Sequence, residues 1–237
     1  MFPNTSNGAK MNALIQQPSL LVGSEEDIKR IEQLNSVSIL AVSDTHGAVD
    51  ELEAILRAFC ADCDAFVFMG DGVSDVLTCL ERAAQDKTLF EILPPVIAFV
   101  RGNGDADTYY INKIEEDNIA QVSVQVPDRQ MLRIAGRNLL FMHGHRHGVD
   151  LGTETLTAAV ETMDADMIFF GHTHRPFCEE TNASLLLNPG SVLRPRGGFP
   201  PSFAVVSFPG ETERYNTEFF TIKDSVFGGF NFKTLEI

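Results

Sequence analysis

The sequence predicts an α/β fold in which two stacked β-sheets are covered by helices on the outside. One observation is that β-rich apolar runs alternate with amphipathic helical patterns from Val37 to about residue 118. A second is that closely spaced strand patterns dominate after that point. Strands that first alternate with helices and then follow one another directly are typical of two packed sheets.

Helices are predicted where apolar residues recur every three or four positions. Residues 24–34 form the first such segment, with Ser24, followed by Asp27, as a plausible N-terminal cap. Three further patterns place apolar side chains on one face and predict helices over residues 49–59, 73–84 and 153–163. These amphipathic helices are expected to cover a sheet.

Strands are predicted where apolar runs end in a polar cluster and where strand-like runs follow one another closely. Five apolar runs each end in a polar cluster, at residues 39–42, 66–69, 96–100, 139–142 and 167–170. Further strands are expected at 122–126, 131–134, 138–142, 185–187, 203–208 and 215–222. Residues 1–36 are expected to form an N-terminal arm, loose over residues 1–18, ahead of a single domain over residues 37–237.

Composition excludes several classes of protein. A hydrophobic share of 44% and a charged share of 22% are typical of a soluble globular chain. The 33 acidic residues outnumber the 18 basic ones, and the resulting formal charge of −15 argues against binding a nucleic-acid polymer. No apolar stretch reaches the roughly 20 residues that span a bilayer, so no membrane partner is expected.

The four cysteines, with nothing before them that resembles a secretory segment, indicate a reducing cytoplasm. Cys60 and Cys63 have the spacing of a redox or zinc motif, but no second such pair follows. Core packing is therefore the preferred interpretation of both thiols.

All six histidines lie in polar clusters at the ends of predicted strands. The five clusters are SDTH (43–46), GD (70–71), RGNGD (101–105), HGHRH (143–147) and GHTH (171–174). Because parallel strands in α/β folds gather their carboxyl ends at one edge, we expect these clusters to converge there.

Spacing within the clusters indicates metal binding. In extended backbone, residues i and i+2 project to the same side, so Asp44 and His46 could reach one point together, as could His172 and His174. Imidazole, carboxylate and amide ligands suit Mn, Fe, Zn or Co better than Ca. Each short motif alone also has an ordinary structural explanation, such as a helix cap or a turn.

The ordered set of motifs resembles the calcineurin-like metallophosphoesterase superfamily, and in particular the small YfcE-type phosphodiesterases of bacteria and archaea. The likeness runs from about residue 37 to 208 and includes RGNGD (101–105), GHTHRP (171–176) and NPGSVLRPRGGFPPS (188–202). It implies two mixed β-sheets packed face to face with helices on both outer sides, which is a four-layer α/β/β/α sandwich.

The resemblance also implies a binuclear centre. One metal would be held by Asp44, His46, Asp71 and His174, and the second by Asp71, Asn103, His143 and His172, with Asp71 bridging. Two divalent transition-metal ions are expected, manganese first, with Fe, Zn, Ni or Co as alternatives. In-line attack of a metal-bridging hydroxide would then hydrolyse a small phosphodiester or nucleotide-like substrate.

One position departs from the family pattern. Many members carry a histidine just after the GN turn, thought to protonate the leaving group, whereas this chain has Gly104 followed by Asp105. The YfcE type commonly has Cys-Asp there, so Asp105 fits the resemblance and Gly104 does not, and Asp105 is one predicted catalytic residue. His145 is the other, because it lies two residues past His143 and so on the same side, although it could instead support the ligands. We expect activated or small nucleotide diesters to be favoured.

Positively charged side chains could hold a phosphate at the rim of the site. The candidates are Arg101, Arg175, Arg194 and Arg196, and structural ion pairing is an equally good explanation for each.

Two other classes of protein compete with a phosphodiesterase. The same family includes a retromer subunit in which parts of the metal site have decayed, so a non-catalytic scaffold is the main alternative. A metallo-β-lactamase relative is a weaker one, because HGHRH (143–147) lacks the aspartate of the HxHxDH pattern. A homo-oligomer is a further possible assembly.

Overall fold

The computed structural model describes residues 12–115, 118–160, 163–181, 184–209 and 215–237. The helices within these ranges are α1 (Glu25–Gln33), α2 (Val49–Phe59), α3 (Val73–Ala83), α4 (Lys87–Ile92) and α5 (Glu154–Val160). The first strands are β1 (Ser36–Val42), β2 (Ala65–Phe68), β3 (Val96–Phe99), β4 (Thr108–Glu115), β5 (Asn118–Gln125), β6 (Arg129–Ile134) and β7 (Arg137–Met142). The remaining strands are β8 (Met167–Phe169), β9 (Pro176–Glu180), β10 (Leu185–Pro189), β11 (Ser202–Pro209), β12 (Asn216–Asp224) and β13 (Phe230–Leu235).

These strands form two mixed sheets and a hairpin. The first sheet has the order β13-β12-β11-β1-β2-β3, in which β1, β2 and β3 are parallel. The second has the order β6-β7-β8-β10-β9, in which β7, β8 and β10 are parallel. Strands β4 and β5 pair with each other as a separate antiparallel hairpin.

The two sheets pack face to face over an apolar core. One buried cluster combines side chains of β1, such as Ile39, with side chains of β7 and β8, such as Phe141 and Phe169. The opposite face of the first sheet packs against α2, α3 and α4, and the opposite face of the second packs against α5. The predicted four-layer α/β/β/α sandwich is confirmed.

Most predicted elements occur close to their predicted positions. Helix α2 has the predicted ends, and Ser24 caps α1 by accepting a hydrogen bond from the Asp27 amide at 3.0 Å. The helix predicted over residues 153–163 is observed as α5, and residues 161 and 162 lie outside the described ranges. The sequence analysis did not predict α4, β4, β9 or β13.

The segment before α1 is not loose where the structure describes it. Val22 exchanges two backbone hydrogen bonds of 2.8 Å with Ile97 of β3, which adds a bridge to the free edge of the first sheet. The fully buried Asn12 donates to the carbonyls of Pro94 and Pro95, at 2.8 and 3.1 Å. The expectation of a loose segment is therefore wrong for residues 12–18, while residues 1–11 lie outside the described ranges. The division of the chain into an arm and a domain at residue 36 stays a prediction.

Replacement of Asn12 tests how this segment is held. Asn12→Ala removes the donor to three carbonyls and the acceptor for the Leu14 amide, and should weaken docking by about 1–3 kcal/mol. Limited proteolysis should then cut residues 12–22 at least several-fold faster than in the wild type. Ile15→Ala, at a half-exposed position of the same segment, is the control. An unchanged cleavage rate in Asn12→Ala would contradict this account.

Candidate metal centre

The fold brings the five polar clusters to one edge of the sandwich. Asp44, Asp71 and Asn103 follow β1, β2 and β3, whereas His143 and His172 follow β7 and β8. Each of these five strands is parallel to a neighbour, so the loops after their carboxyl ends meet at the same edge. The predicted convergence is therefore observed for the strand ends.

The local backbone differs from the extended conformation assumed for the i, i+2 pairs. Asp44, His46, His172 and His174 all have left-handed backbone, with φ between 48° and 69°. The predicted reason for their proximity is therefore wrong, because these residues lie in tight loops rather than on strands. The pairing also differs: His174 joins Asp44 and His46, whereas His172 contacts His143.

The first group of ligands consists of Asp44, His46, Asp71 and His174, whose ligand atoms all lie within 4.8 Å of one another. The Nε2 atoms of His46 and His174 are 3.1 Å apart, and Asp44 Oδ1 is 3.2 Å from His174 Nε2. Asp44 Oδ1 is buried without a hydrogen-bond donor among the described residues. A cation at the centre of this group would satisfy that oxygen, since a buried unpaired carboxylate oxygen is costly.

The second group begins at Asp71. Its Oδ2 atom lies 3.9 Å from His46 Nε2 and 3.6 Å from His143 Nε2, so one oxygen faces imidazoles of both groups. His143 Nε2 is in turn 3.3 Å from His172 Nδ1. Asn103 is exposed in the turn after β3, and its side chain makes no hydrogen bond to any described residue.

Three of the imidazoles are oriented by a hydrogen bond from their other nitrogen. His143 Nδ1 lies 2.7 Å from the Met69 carbonyl, and His174 Nδ1 lies 2.6 Å from the Arg194 carbonyl. Because a carbonyl oxygen only accepts, both Nδ1 atoms carry the proton, and in the neutral ring Nε2 keeps a lone pair for a metal. The sequence therefore folds so that both side chains present Nε2 to the site.

His172 is oriented in the opposite sense, by Asp150. His172 Nε2 lies 2.8 Å from Asp150 Oδ2, which leaves Nδ1 facing His143. Asp150 belongs to the loop before α5, and sequence reasoning did not select it because no motif connects it with His172. A carboxylate on the outer nitrogen of a metal-binding histidine fixes the ring and makes it a stronger ligand.

Protonation of the histidines follows from burial and from the nearby carboxylates. Burial lowers the pKa of His46 below its usual value, although Asp44 and Asp71 oppose the change. Burial acts in the same direction on His174, but the Asp44 carboxylate, whose Oδ1 lies 3.2 Å from His174 Nε2, outweighs it and raises the pKa. The Asp44 carboxylate thus attracts positive charge to the point that His174 Nε2 faces.

Asp105 has a structural position in this site. Its Oδ2 accepts hydrogen bonds from the amides of Asp71 and Gly102, at 2.7 and 2.9 Å. Its Oδ1 accepts from the amides of Gly72 and Val73, at 3.1 and 2.9 Å. Both oxygens are occupied in holding the loop that carries Asp71, so this geometry does not support the predicted catalytic role of Asp105.

The backbone approaches Asp71 so closely that glycine is required next to it. A Cβ atom added to Gly102 would lie 2.1 Å from Asp71 Oδ1, and the Gly104 amide donates to the same oxygen at 2.7 Å. The GNG turn therefore contributes an amide to the carboxylate that stands between the two groups. Asp71 Oδ2 is left to face the imidazoles.

Asn188 and Ser191 connect the loops of the two sheets. The Asn188 side chain donates to the Gly171 carbonyl at 2.8 Å, and the buried Ser191 hydroxyl donates to the Asp44 carbonyl at 2.7 Å. The stretch NPGSVLRPRGGFPPS (188–202), which is part of the resemblance, therefore positions both the Asp44 loop and the His172 loop.

His145 begins a short 3-10 turn beside the second group. Its ring lies 5.3 Å from the His143 ring and 6.1 Å from the His172 ring. Burial, and then the neighbouring His143 and Arg146, lower the pKa of His145. The structure thus places His145 beside the candidate ligands.

The four predicted arginines take different positions. Arg101 forms an ion pair of 2.7 Å with Asp128. Arg194 and Arg196 are exposed and close enough for their charges to disfavour protonation of His46 and His174, respectively. Arg175 lies against Gly197.

Two facing mixed sheets with a cluster of aspartates and histidines at the strand ends are the fold and the candidate metal site of the metallophosphoesterase class, in a four-layer α/β/β/α arrangement. Residues 37–211 match the calcineurin-like phosphoesterase superfamily domain. The chain belongs to this superfamily.

Individual relatives agree with this assignment. The chain is 30% identical to the phosphodiesterase YfcE of Escherichia coli (strain K12) over 178 residues, which are 72% of this chain and 87% of the relative. The crystal structure of a protein from Streptococcus pneumoniae that is described as a predicted phosphoesterase aligns with a TM-score of 0.56 at 20% identity. The alignment covers 84% of this chain and 98% of that one.

A further solved structure is the wild-type vacuolar protein sorting 29 of Entamoeba histolytica complexed with zinc. It aligns with a TM-score of 0.55 at 17% identity, over 84% of this chain and 98% of that one. At these identities the two solved structures support the fold alone. The structure describes no helix long and apolar enough to cross a membrane within its ranges.

Proposed function

We propose that this chain is a binuclear, metal-dependent phosphodiesterase that acts on small phosphodiesters. The observation that carries the proposal is the position of Asp71, whose Oδ2 faces an imidazole of each group, His46 at 3.9 Å and His143 at 3.6 Å. A carboxylate between two sets of nitrogen ligands is an arrangement that suits two neighbouring cations.

The residues present fit such ions. Three carboxylate or imidazole side chains of the first group are buried, and one carboxylate oxygen there is unpaired among the described residues. His143 and His172 would complete the second position, and Asn103 is the proposed amide ligand. Bound divalent cations, manganese first, would activate water and neutralise charge on the phosphate oxygens. Nitrogen and oxygen donors suit Mn, Fe, Zn, Ni or Co.

The protein's own part in the reaction is to position these groups. The Met69 and Arg194 carbonyls and the Asp150 carboxylate hold three rings in place before substrate arrives. His145, with a lowered pKa and a ring beside both His143 and His172, is placed to contact the substrate or to pass a proton to the leaving group. Asp105 keeps the Asp71 loop rigid.

Phosphodiesters with good leaving groups are the proposed substrates. YfcE of Escherichia coli carries the name phosphodiesterase, and this chain has Gly104 where many superfamily members have a histidine. Without that histidine to protonate the leaving group, the rate of cleavage should depend more strongly on how stable the leaving group is as an anion. We expect bis(4-nitrophenyl) phosphate to be cleaved faster than 4-nitrophenyl phosphate.

A screen of phosphomonoesters and phosphodiesters against Mn, Mg, Ni, Zn and Co tests the proposal. Cleavage should require added metal, stop with a chelator and favour the diester. A simple alkyl phosphomonoester as the best substrate would contradict the assignment. A metal-loaded protein that cleaves none of the esters would favour the alternative, a scaffold of the same fold. Metal content alone does not separate the two, because a vacuolar protein sorting 29 also binds zinc.

Asp150 gives a prediction for the second metal position. Asp150→Ala removes the acceptor on His172 Nε2, and loss of such an outer partner typically weakens metal binding by about 10- to 100-fold. Titration of activity with manganese should show this loss as a higher metal requirement, with the maximal rate largely recovered at saturating metal. Asp62→Ala, at an exposed carboxylate of the short 3-10 helix after α2, should leave the requirement unchanged. The same requirement in Asp150→Ala as in the wild type would contradict the positioning role.

A further inference from the structure

A cavity of about 320 Å³ lies next to the second group of ligands. His143 and His145 form part of its wall, so the cavity adjoins the candidate metal centre. Its other lining side chains are two arginines, one carboxylate, one further histidine and two thioethers, namely Arg129, Arg146, Asp128, His147, Met142 and Met163. Neither the superfamily match nor the ligand set accounts for this combination.

The cavity carries positive charge that its surroundings do not cancel. Asp128 is already shared, since Oδ1 accepts from Arg101 at 2.7 Å and Oδ2 accepts from Arg146 at 2.6 Å. Among the described residues, the hydrogen-bond partner of the Arg129 guanidinium is the sulfur of Met163, at 3.8 Å, and no carboxylate of these residues lies within ion-pair distance of it. In a chain with a formal charge of −15, a guanidinium beside the candidate site that has no acidic partner in the described part of the chain indicates a place for an anion.

The size and the lining suit an anionic group attached to a larger body. Arginine forms paired hydrogen bonds with phosphate oxygens. The polarizable methionine side chains can pack against the rest of the ligand molecule, to which the phosphate is attached. The His145 ring lies between the cavity and the candidate metal centre, because it belongs to the cavity wall and its centre is 6.1 Å from that of the His172 ring.

We propose that this cavity binds a second phosphate group of the substrate, so that preferred phosphodiesters carry a further phosphate a few bonds from the scissile one. The proposal rests on the proposed function and adds a substrate class to it, namely esters of nucleoside bisphosphates or compounds of similar spacing. Arg129 is the principal ligand of the second phosphate, and Arg146 contributes to the positive wall.

Two matched substrates test the proposal: the 4-nitrophenyl ester of thymidine 5′-phosphate, with and without a phosphate at the 3′ position. The wild type should show a KM about tenfold lower for the ester that carries the 3′-phosphate, the effect of one charge-assisted contact. In Arg129→Gln the two KM values should agree within about twofold. Arg133→Gln, an exposed arginine farther along β6 that does not line the cavity, should keep the wild-type difference.

A binding measurement separates failure of this proposal from failure of the proposed function. Calorimetric titration of the metal-loaded protein should give about tenfold tighter binding of thymidine 3′,5′-bisphosphate than of thymidine 5′-monophosphate, and Arg129→Gln should lose that preference. Equal affinities in the wild type, or the same preference in Arg129→Gln, would overturn the proposal. If neither ester is cleaved but the preference is present and depends on Arg129, the cavity proposal stands and the phosphodiesterase assignment fails.

Discussion

Asp71→Asn is expected to abolish the metal-dependent cleavage of bis(4-nitrophenyl) phosphate while the protein stays folded. Loss of an outer partner of a metal ligand costs about 10- to 100-fold, so loss of a shared ligand oxygen should cost more, about 1,000-fold. The amide keeps the shape of the carboxylate and can still accept the Gly104 amide, so the loop after β2 should be preserved. Steady-state rates at saturating manganese, together with thermal unfolding, check both parts.

His172→Ala and Asp107→Asn complete this experiment. His172→Ala removes a candidate ligand from the second group and should also reduce the rate strongly. Asp107 is exposed, and its side chain makes no hydrogen bond to a described residue, so Asp107→Asn should behave like the wild type. Retained activity in both Asp71→Asn and His172→Ala would count heavily against the assignment.

Asp105→Ala is expected to lower both activity and stability. The substitution leaves the amides of Asp71, Gly72, Val73 and Gly102 without their carboxylate acceptor. Hydrogen bonds to a charged group are worth about 1.5–3 kcal/mol each, and water will replace some of them, so we expect a loss of roughly 2–4 kcal/mol in the free energy of unfolding. The Asp71 loop should also lose its fixed position, which lowers affinity for metal.

Comparison with Asp105→Asn shows which role Asp105 has. The asparagine retains one acceptor oxygen and should recover part of the stability and of the metal affinity, because both depend on holding the loop. Chemical denaturation and metal titration of the two variants measure these effects. A variant Asp105→Ala with unchanged stability and a strongly altered pH profile would instead indicate a direct chemical role.

The architecture was largely predictable because its elements have clear periodic patterns. Helix α2 has the predicted ends since its apolar residues Leu52, Ile55 and Leu56 all face the core. Strand β9 was missed because it starts at Pro176 and becomes more exposed along its length, so it has little apolar pattern. Helix α4 is only six residues long, too short to show a helical period, although its Asp86 cap is visible in the sequence.

Residues 12–18 were wrongly expected to be loose because composition does not report tertiary contacts. Residues rich in Asn, Gln, Ser and Pro suggest a loose segment, yet Asn12 is buried against backbone carbonyls near β3, and Gln16 exchanges two hydrogen bonds with the backbone of Gln125. Partners of this kind lie about 80 to 110 positions away along the chain, and no local pattern marks them.

The candidate ligands were predictable as a set, but their geometry was not. The strand ends and the resemblance together identified Asp44, His46, Asp71 and His174. The fold brings the ligand atoms of these four side chains within 4.8 Å of one another. The left-handed backbone of these residues could not be anticipated, since only tertiary contacts stabilise this conformation in residues other than glycine. For the same reason the orienting role of Asp150 emerged only from the fold.

The central claim is that Asp71 stands between two cations, and metal stoichiometry tests it most directly. Wild-type protein and Asp71→Asn would each be equilibrated with manganese, freed of excess metal and assayed for bound metal per chain. The account predicts about two ions per wild-type chain and at most one in Asp71→Asn. A single ion per wild-type chain, or two ions retained in Asp71→Asn, would contradict it.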